Sequence, residues 1–65
     1  MVANVLRLEV AIGASVVAGD TLVLLESMKM EIPVLADVAG NVTAILVEPG
    51  MVVQEGDVLV ILESR

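Results

Sequence analysis

Apolar residues fall in short runs separated by Gly, Pro and Asp, and no run repeats with the period of an α-helix. The runs 4–10 and 41–47 are rich in Val and Leu and roughly alternate with polar residues, which favours β-strands. The runs 21–27 and 58–64 are almost unbroken in apolar character, as is typical of strands buried in a small sandwich or barrel. The pattern therefore predicts an all-β fold.

Turn residues separate these runs at corresponding places in the two halves of the chain. Pro at the second position and Gly at the third fit a type II turn, in which Gly supplies the positive φ angle. Turns are predicted at 13, 19–20, 49–50 and 56–57, with short strands between them at 15–17 and 52–54.

The two halves of the chain are copies of one another. An offset of 37 residues aligns 4–27 with 41–64, and 12 of the 24 pairs are identical. The identical pairs are Asn4/Asn41, Val5/Val42, Val10/Val47, Gly13/Gly50, Val16/Val53, Gly19/Gly56, Asp20/Asp57, Leu22/Leu59, Val23/Val60, Leu25/Leu62, Glu26/Glu63 and Ser27/Ser64. Two copies of one supersecondary unit predict a domain with quasi-twofold symmetry rather than a solenoid.

A linking segment joins the two copies. Residues 31–36 read as a strand, and Pro33 confines that strand to an edge or an irregular place because Pro cannot donate to a strand ladder. One strand from 21 to 36 would exceed the usual length of roughly 3 to 10 residues. The chain is therefore expected to reverse near Lys29, although Met and Lys are not the residues that two-residue turns prefer.

Composition excludes several classes of function. The 65 residues suffice for one small domain, and Cys, His, Phe, Tyr and Trp are all absent. The strong metal ligands, a thiolate nucleophile and platforms for base stacking are therefore missing. The net charge of −6 opposes binding to nucleic acid, and the longest uncharged stretches have only ten residues, about half of a membrane span. No secretory signal is recognisable, which predicts a cytoplasmic protein.

Lys29 is the only Lys of the chain, and Arg7 and Arg65 are the other basic residues. A reaction that acylates a side-chain amine therefore has a single target. Lys29 lies in the segment 26–31, Glu-Ser-Met-Lys-Met-Glu, where the first copy passes into the linking segment. Its counterpart in the second copy would be position 66, so the 65 residues contain this position of the repeat once.

The segment 26–31 resembles the attachment motif of the biotinyl/lipoyl attachment domains, and its Met-Lys-Met core resembles the biotin carboxyl carrier type. Agreement covers nearly the whole chain, so residues 1–65 are interpreted as one such domain. Further matching residues are Gly13, Gly19-Asp20, Leu22, Leu25, Ala36, Gly40 and Val42. The resemblance implies a flattened antiparallel β-barrel, a barrel-sandwich hybrid of two quasi-symmetric halves, with the modified Lys on an exposed hairpin turn.

The resemblance also implies a function. The amine of Lys29 would be acylated by biotin, and the tethered biotin would carry carboxylate between two catalytic sites. Met28 and Met30 would help a biotin protein ligase and the partner enzymes to recognise the hairpin. The implied partners are that ligase and the biotin carboxylase and carboxyltransferase subunits of a biotin-dependent carboxylase. The chain itself would be a carrier without catalytic residues.

Two other interpretations compete with this one. A lipoyl carrier of a 2-oxo acid dehydrogenase-type complex would share the fold, but such carriers usually surround their Lys with an acidic residue and Ala. A module used only for protein contacts would tolerate replacement of Lys29. An independent hydrolase is disfavoured because the chain has no imidazole to activate its hydroxyl groups.

The start of the chain departs from the family pattern. Members usually open with a strand rich in Pro, Met and Gly, whereas this chain has only Met1-Val2-Ala3 before Asn4. The first strand is therefore expected to be short or missing. Its absence would leave an open sheet edge able to pair with another chain.

Overall fold

The computed structural model describes residues 2–64, which form seven strands and no helix. The strands are β1 (Val2–Leu8), β2 (Ser15–Val16), β3 (Thr21–Ser27), β4 (Met30–Leu35), β5 (Gly40–Ile45), β6 (Val52–Gln54) and β7 (Val60–Ser64). Every paired strand is antiparallel to its neighbour, which confirms the predicted all-β class. None of the described residues belongs to a helix long and apolar enough to cross a membrane.

The strands form two sheets that repeat the same connectivity. Sheet A has the order β4-β3-β1-β6, and sheet B has the order β2-β5-β7. In sheet A, β1 lies between β3 and β6. In sheet B, β5 lies between β7 and β2, so β5 corresponds to β1, β7 to β3 and β2 to β6. The predicted quasi-twofold symmetry is confirmed, and β4, which contains Pro33, is an edge strand as predicted.

Four turns fix the path of the chain in both halves. Gly50 has a φ angle of 92°, and the amide of Met51 donates to the carbonyl of Glu48 over 3.1 Å, as in the predicted type II turn. Equivalent bonds close the other turns, from Ala14 to Ala11, from Asp20 to Val17 and from Asp57 to Gln54. The recurrence of the same turn at the same place in each half holds the two units in matching shapes.

The core between the sheets is built from Val, Leu and Ala side chains. Val5, Val23 and Val42 are its largest fully buried side chains, and all of them lie on strands. Such side chains pack well on a pleated surface. The core cluster also contains Ala3, Val16, Leu22, Leu25, Ala36, Val47 and Val53. Burial of these residues stabilises a domain that has no disulfide.

Three details differ from the sequence predictions or complete them. β1 runs from Val2 to Leu8, two residues earlier than the predicted run, and no strand precedes it within residues 2–64. The predicted short or missing first strand would include Met1, and Met1 lies outside the described residues. The prediction that residues 58–64 form a buried strand is wrong, because β7 is a half-exposed edge strand that begins at Val60.

Candidate functional site

The candidate site is the hairpin that joins β3 to β4 at one end of sheet A. Ser27 pairs with Met30, and Met28 and Lys29 form the two-residue connection between them. The φ angles of Met28 and Lys29 are 52° and 64°, so both central residues are left-handed, as a type I′ turn requires. The predicted reversal of the chain near Lys29 is confirmed, and Lys29 lies at its apex.

This turn is energetically unfavourable for its sequence. Type I′ turns prefer Asn-Gly or Gly-Gly, because a side chain with a Cβ atom costs roughly 1–2 kcal/mol in the left-handed region. Met28 and Lys29 are the only non-glycine residues with positive φ within residues 2–64. Such strain persists only where surrounding structure fixes it, and it concentrates at functional sites.

The antiparallel pairing of β3 with β4 supplies that surrounding structure. The pairing extends from Ser27 and Met30 back to Thr21 and Leu35, so the hairpin is a continuation of a long ladder. Residues 22–25 of β3 are all buried, which anchors the ladder in the core. The hairpin therefore projects from a base that is paired in the sheet and anchored in the core.

The three side chains at the tip are exposed to solvent. Met28 is 92% exposed, the highest value among the exposed large apolar residues of the described range, and Met30 is 66% exposed. Lys29 lies between them, is also exposed, and makes no ion pair with any other residue in the described range. The structure thus brings all three predicted site residues to one surface. The side chain of Lys29 ends in a primary amine that a large partner can approach from outside.

A hydrogen bond ties the base of the hairpin to the centre of sheet A. The hydroxyl of Ser27 donates to the carbonyl oxygen of Val2 on β1 over 3.1 Å. Sequence reasoning did not identify Ser27 as a positioning residue. The two residues are 25 positions apart, and no local pattern signals such a contact.

Two carboxylates flank the hairpin on the outer face of sheet A. Glu26 on β3 lies directly opposite Glu31 on β4, and both are exposed. Like charges directly opposite one another are destabilising. The only Lys of the chain therefore projects beyond a negatively charged base.

The surroundings of the hairpin hold one exposed amine, that of Lys29. Within residues 2–64, no group of three or more Asp or Glu side chains is placed to hold a metal ion. An apolar groove of about 510 Å³ lies between the sheets, but its lining does not include residues 28–30. The amine of Lys29 is therefore open to an external enzyme and lies outside this groove.

Comparison with known proteins identifies relatives of this chain. The profile of a family described as biotin-requiring enzyme matches residues 1–62. The chain is 53% identical over 62 residues to the biotinylated protein TB7.3 homolog of Mycobacterium leprae, an alignment that covers 95% of this chain and 87% of that protein.

Two further matches extend the comparison. The chain is 40% identical over 60 residues to the biotin carboxyl carrier protein of Streptococcus mutans, covering 92% of this chain and 46% of that protein. A structure described as a single-chain, multi-domain long-chain acyl-CoA carboxylase superposes with a TM-score of 0.92 and 35% identity. That match covers the whole of this chain but 6% of the carboxylase chain, so the chain is similar to one small part of that protein.

Proposed function

We propose that this chain, which belongs to the biotin/lipoyl attachment family, is a biotin carboxyl carrier with biotin attached to Lys29. The observation that carries the proposal is the position of Lys29 at the apex of an exposed hairpin. An amide bond between its side-chain nitrogen and the carboxyl carbon of biotin would remove one positive charge, and the formal charge would change from −6 to −7.

The residues at the hairpin fit such an attachment. The long unbranched stem of Lys29 gives the tethered group reach, while the ladder between β3 and β4 fixes the point from which the stem swings. When attached, biotin supplies the group that accepts and donates carboxylate, and the protein supplies placement. Tethering also raises the effective concentration of the carried group at the sites that it visits.

Met28 and Met30 are proposed as recognition residues. Their exposed thioether side chains lie on either side of Lys29 in sequence. Met is flexible and polarisable, and it is common on surfaces that several partners contact. A ligase and two catalytic sites would each have to accept the same hairpin, which favours adaptable side chains at this place.

The proposed partners are a biotin protein ligase, a biotin carboxylase and a carboxyltransferase. These activities would come from other domains or subunits, since the chain is similar to only 6% of a multi-domain carboxylase chain. The carrier itself would be non-catalytic and would work in the compartment of its partner enzymes, which we propose to be the cytoplasm.

A lipoyl carrier is the alternative within the same fold. The flanks of Lys29 favour biotin, because the resemblance associates Met on both sides of the Lys with biotin carriers. The biotinylated protein of Mycobacterium leprae, which aligns with this chain over 87% of its own length, favours the same interpretation.

Mass spectrometry tests the proposal. The protein is isolated from its native cells, its intact mass is measured, and the peptide that covers 25–32 is mapped. We expect the mass of one biotinyl group on Lys29, and no modification in a Lys29→Arg variant, which keeps the positive charge. A lipoyl group at Lys29 would establish the alternative. An unmodified Lys29 in cells with an active biotin ligase would overturn the carrier function.

A further inference from the structure

Sulfur occurs in this chain only as Met thioether, because the sequence has four Met and no Cys. Peroxides oxidise thiolates and thioethers, and oxidation converts a thioether to a sulfoxide. No thiol of the chain competes for the oxidant, so its Met side chains are the sulfur groups that react. Met28, Met30 and Met51 lie within residues 2–64, and Met1 lies outside the described residues.

The three described Met differ in how easily a small oxidant reaches their sulfur atoms. Met28 and Met30 flank Lys29 at the tip of the hairpin and are mostly exposed, whereas Met51 is 41% exposed. The sulfur of Met51 also accepts a hydrogen bond from the amide of Glu48 over 3.2 Å, which engages an electron pair that an oxidant would attack. Oxidation requires access to the sulfur atom. Met28 and Met30 are therefore expected to react first.

The charge of the site selects the kind of oxidant. Glu26 and Glu31 lie opposite one another at the base of the hairpin, and the chain carries a net charge of −6. Such a surface repels anionic oxidants at low salt. Hydrogen peroxide is neutral near pH 7 and reaches the tip without this repulsion, so hydrogen peroxide is the oxidant that fits the site.

The oxidation transfers one oxygen atom to sulfur. An electron pair of the Met sulfur attacks one oxygen of hydrogen peroxide, the O–O bond breaks, and a sulfur–oxygen bond forms. The hydroxide that leaves takes up the proton of the transferred oxygen and becomes water. The sulfur is oxidised by two electrons and the peroxide is reduced by two, and a flexible apolar side chain becomes a polar one.

A sulfoxide at the tip changes the surface that a partner contacts. In the free carrier the new oxygen lies in water, because Met28 and Met30 are exposed and neither belongs to the core. A partner surface that accepts an apolar thioether would have to bury this oxygen, and burial of a polar group without a hydrogen bond is unfavourable. Oxidation therefore opposes contact with partners without disturbing a core side chain.

We propose that Met28 and Met30 form a reversible oxidation site, at which hydrogen peroxide converts the two thioethers to sulfoxides and thereby slows biotinylation of Lys29. Reversal requires a methionine sulfoxide reductase. Two thiols of that enzyme become a disulfide while the sulfoxide oxygen leaves as water, since this chain supplies no thiol. The preferential oxidation of the tip stands on exposure, and the effect at Lys29 rests on the proposed function.

Peptide mapping tests the first part of the proposal. The full chain without biotin is treated with hydrogen peroxide at neutral pH, samples are taken over time, and the sulfoxide at each Met is measured by mass spectrometry. Cleavage after Glu places Met28 and Met30 in a different peptide from Met51. We expect Met28 to be oxidised about fivefold faster than Met51, with Met30 between them. Equal rates, or faster oxidation of Met51, would overturn the proposal.

A timed assay with a biotin protein ligase tests the second part. The chain oxidised at the tip should be biotinylated about tenfold more slowly than the untreated chain, and a methionine sulfoxide reductase should restore the rate. Failure of the untreated chain to accept biotin would overturn the proposed function and this inference together. Equal rates before and after oxidation would overturn this inference alone.

Variants locate the effect at the tip. In a chain with both Met28→Leu and Met30→Leu, the rate of biotinylation should be the same before and after peroxide, whatever its absolute value. Met51→Leu, the matched change away from the hairpin, should keep the full effect of peroxide. Loss of the effect in Met51→Leu would overturn the proposal. So would a fall in the urea denaturation midpoint of the oxidised chain, because oxidation would then act through the fold.

Discussion

Val23 on β3 and Val60 on β7 occupy equivalent positions of the internal repeat, yet Val23 is completely buried and Val60 is only half-buried. The difference follows from their neighbours, because β4 covers the outer edge of β3 and no described strand covers that edge of β7. Identical residues in nearly identical local sequence should therefore make unequal contributions to stability.

Alanine substitutions should measure this inequality. Val23→Ala removes two buried carbon atoms from a packed site, and we expect a loss of about 2.5 kcal/mol in the free energy of unfolding. Val60→Ala should cost about 1 kcal/mol, because its surroundings are already partly open to water. Urea denaturation of the unmodified proteins gives both values. Equal losses would contradict the asymmetry between the two sheets.

The strained turn at the hairpin leads to a second prediction. Met28→Asn places a residue that tolerates the left-handed region at a φ angle of 52°, and we expect stability to rise by about 1 kcal/mol. The same substitution should slow biotinylation of Lys29 if Met28 contributes to recognition. Thermal unfolding and a timed ligase assay measure the two effects. Met30→Asn is the control, because Met30 lies on β4 and does not have a positive φ angle. A comparable gain in the stability of that variant would rule out turn strain as the cause.

Several features of the fold were accessible from sequence for a clear physical reason. The duplication at an offset of 37 places Gly50 and Gly13 at equivalent turns, and only residues that accept positive φ fit there. Pro33 marked an edge strand because it lacks an amide hydrogen. Local chemistry was sufficient in these places.

Other features depend on contacts between distant residues, and no local pattern records them. The apolar run 58–64 resembles 21–27 in composition, but its burial depends on whether another strand lies beside it. The conformation of Met28 and Lys29 opposes their intrinsic preference and is imposed by the ladder that they close. The hydrogen bond from Ser27 to Val2 arises only once β1 and β3 are side by side.

The opposed carboxylates below the hairpin lead to a third prediction. Glu31→Gln removes the repulsion with Glu26 across the β3–β4 pair, and we expect a gain of about 0.5 kcal/mol at low salt. The gain should shrink as salt screens the two exposed charges. Denaturation at low and high ionic strength measures it, with Glu48→Gln as the control for lowering the total negative charge. A gain that does not change with salt would have a cause other than repulsion.

Gly40 begins β5 at a place where the backbone leaves no room for a side chain. A Cβ atom at this position would overlap the carbonyl oxygen of Glu63 on β7, which is a backbone atom and cannot rotate away. We therefore expect Gly40→Ala to cost about 3 kcal/mol, at the upper end of overpacking penalties, by forcing β5 and β7 apart. Urea denaturation measures the loss.

Gly13→Ala separates this steric effect from backbone strain. Gly13 has a φ angle of 92°, and no residue beyond its two chain neighbours places a heavy atom within 4 Å of the position that a Cβ atom would take. Its substitution therefore costs only the strain of a left-handed residue, about 1–2 kcal/mol. Amide exchange in β7 distinguishes the two causes further. Faster exchange at Ile61 and Glu63, which lie on the side of β7 facing β5, is expected for Gly40→Ala alone. Unchanged β7 exchange in that variant would show that the two strands absorb the added carbon without separating.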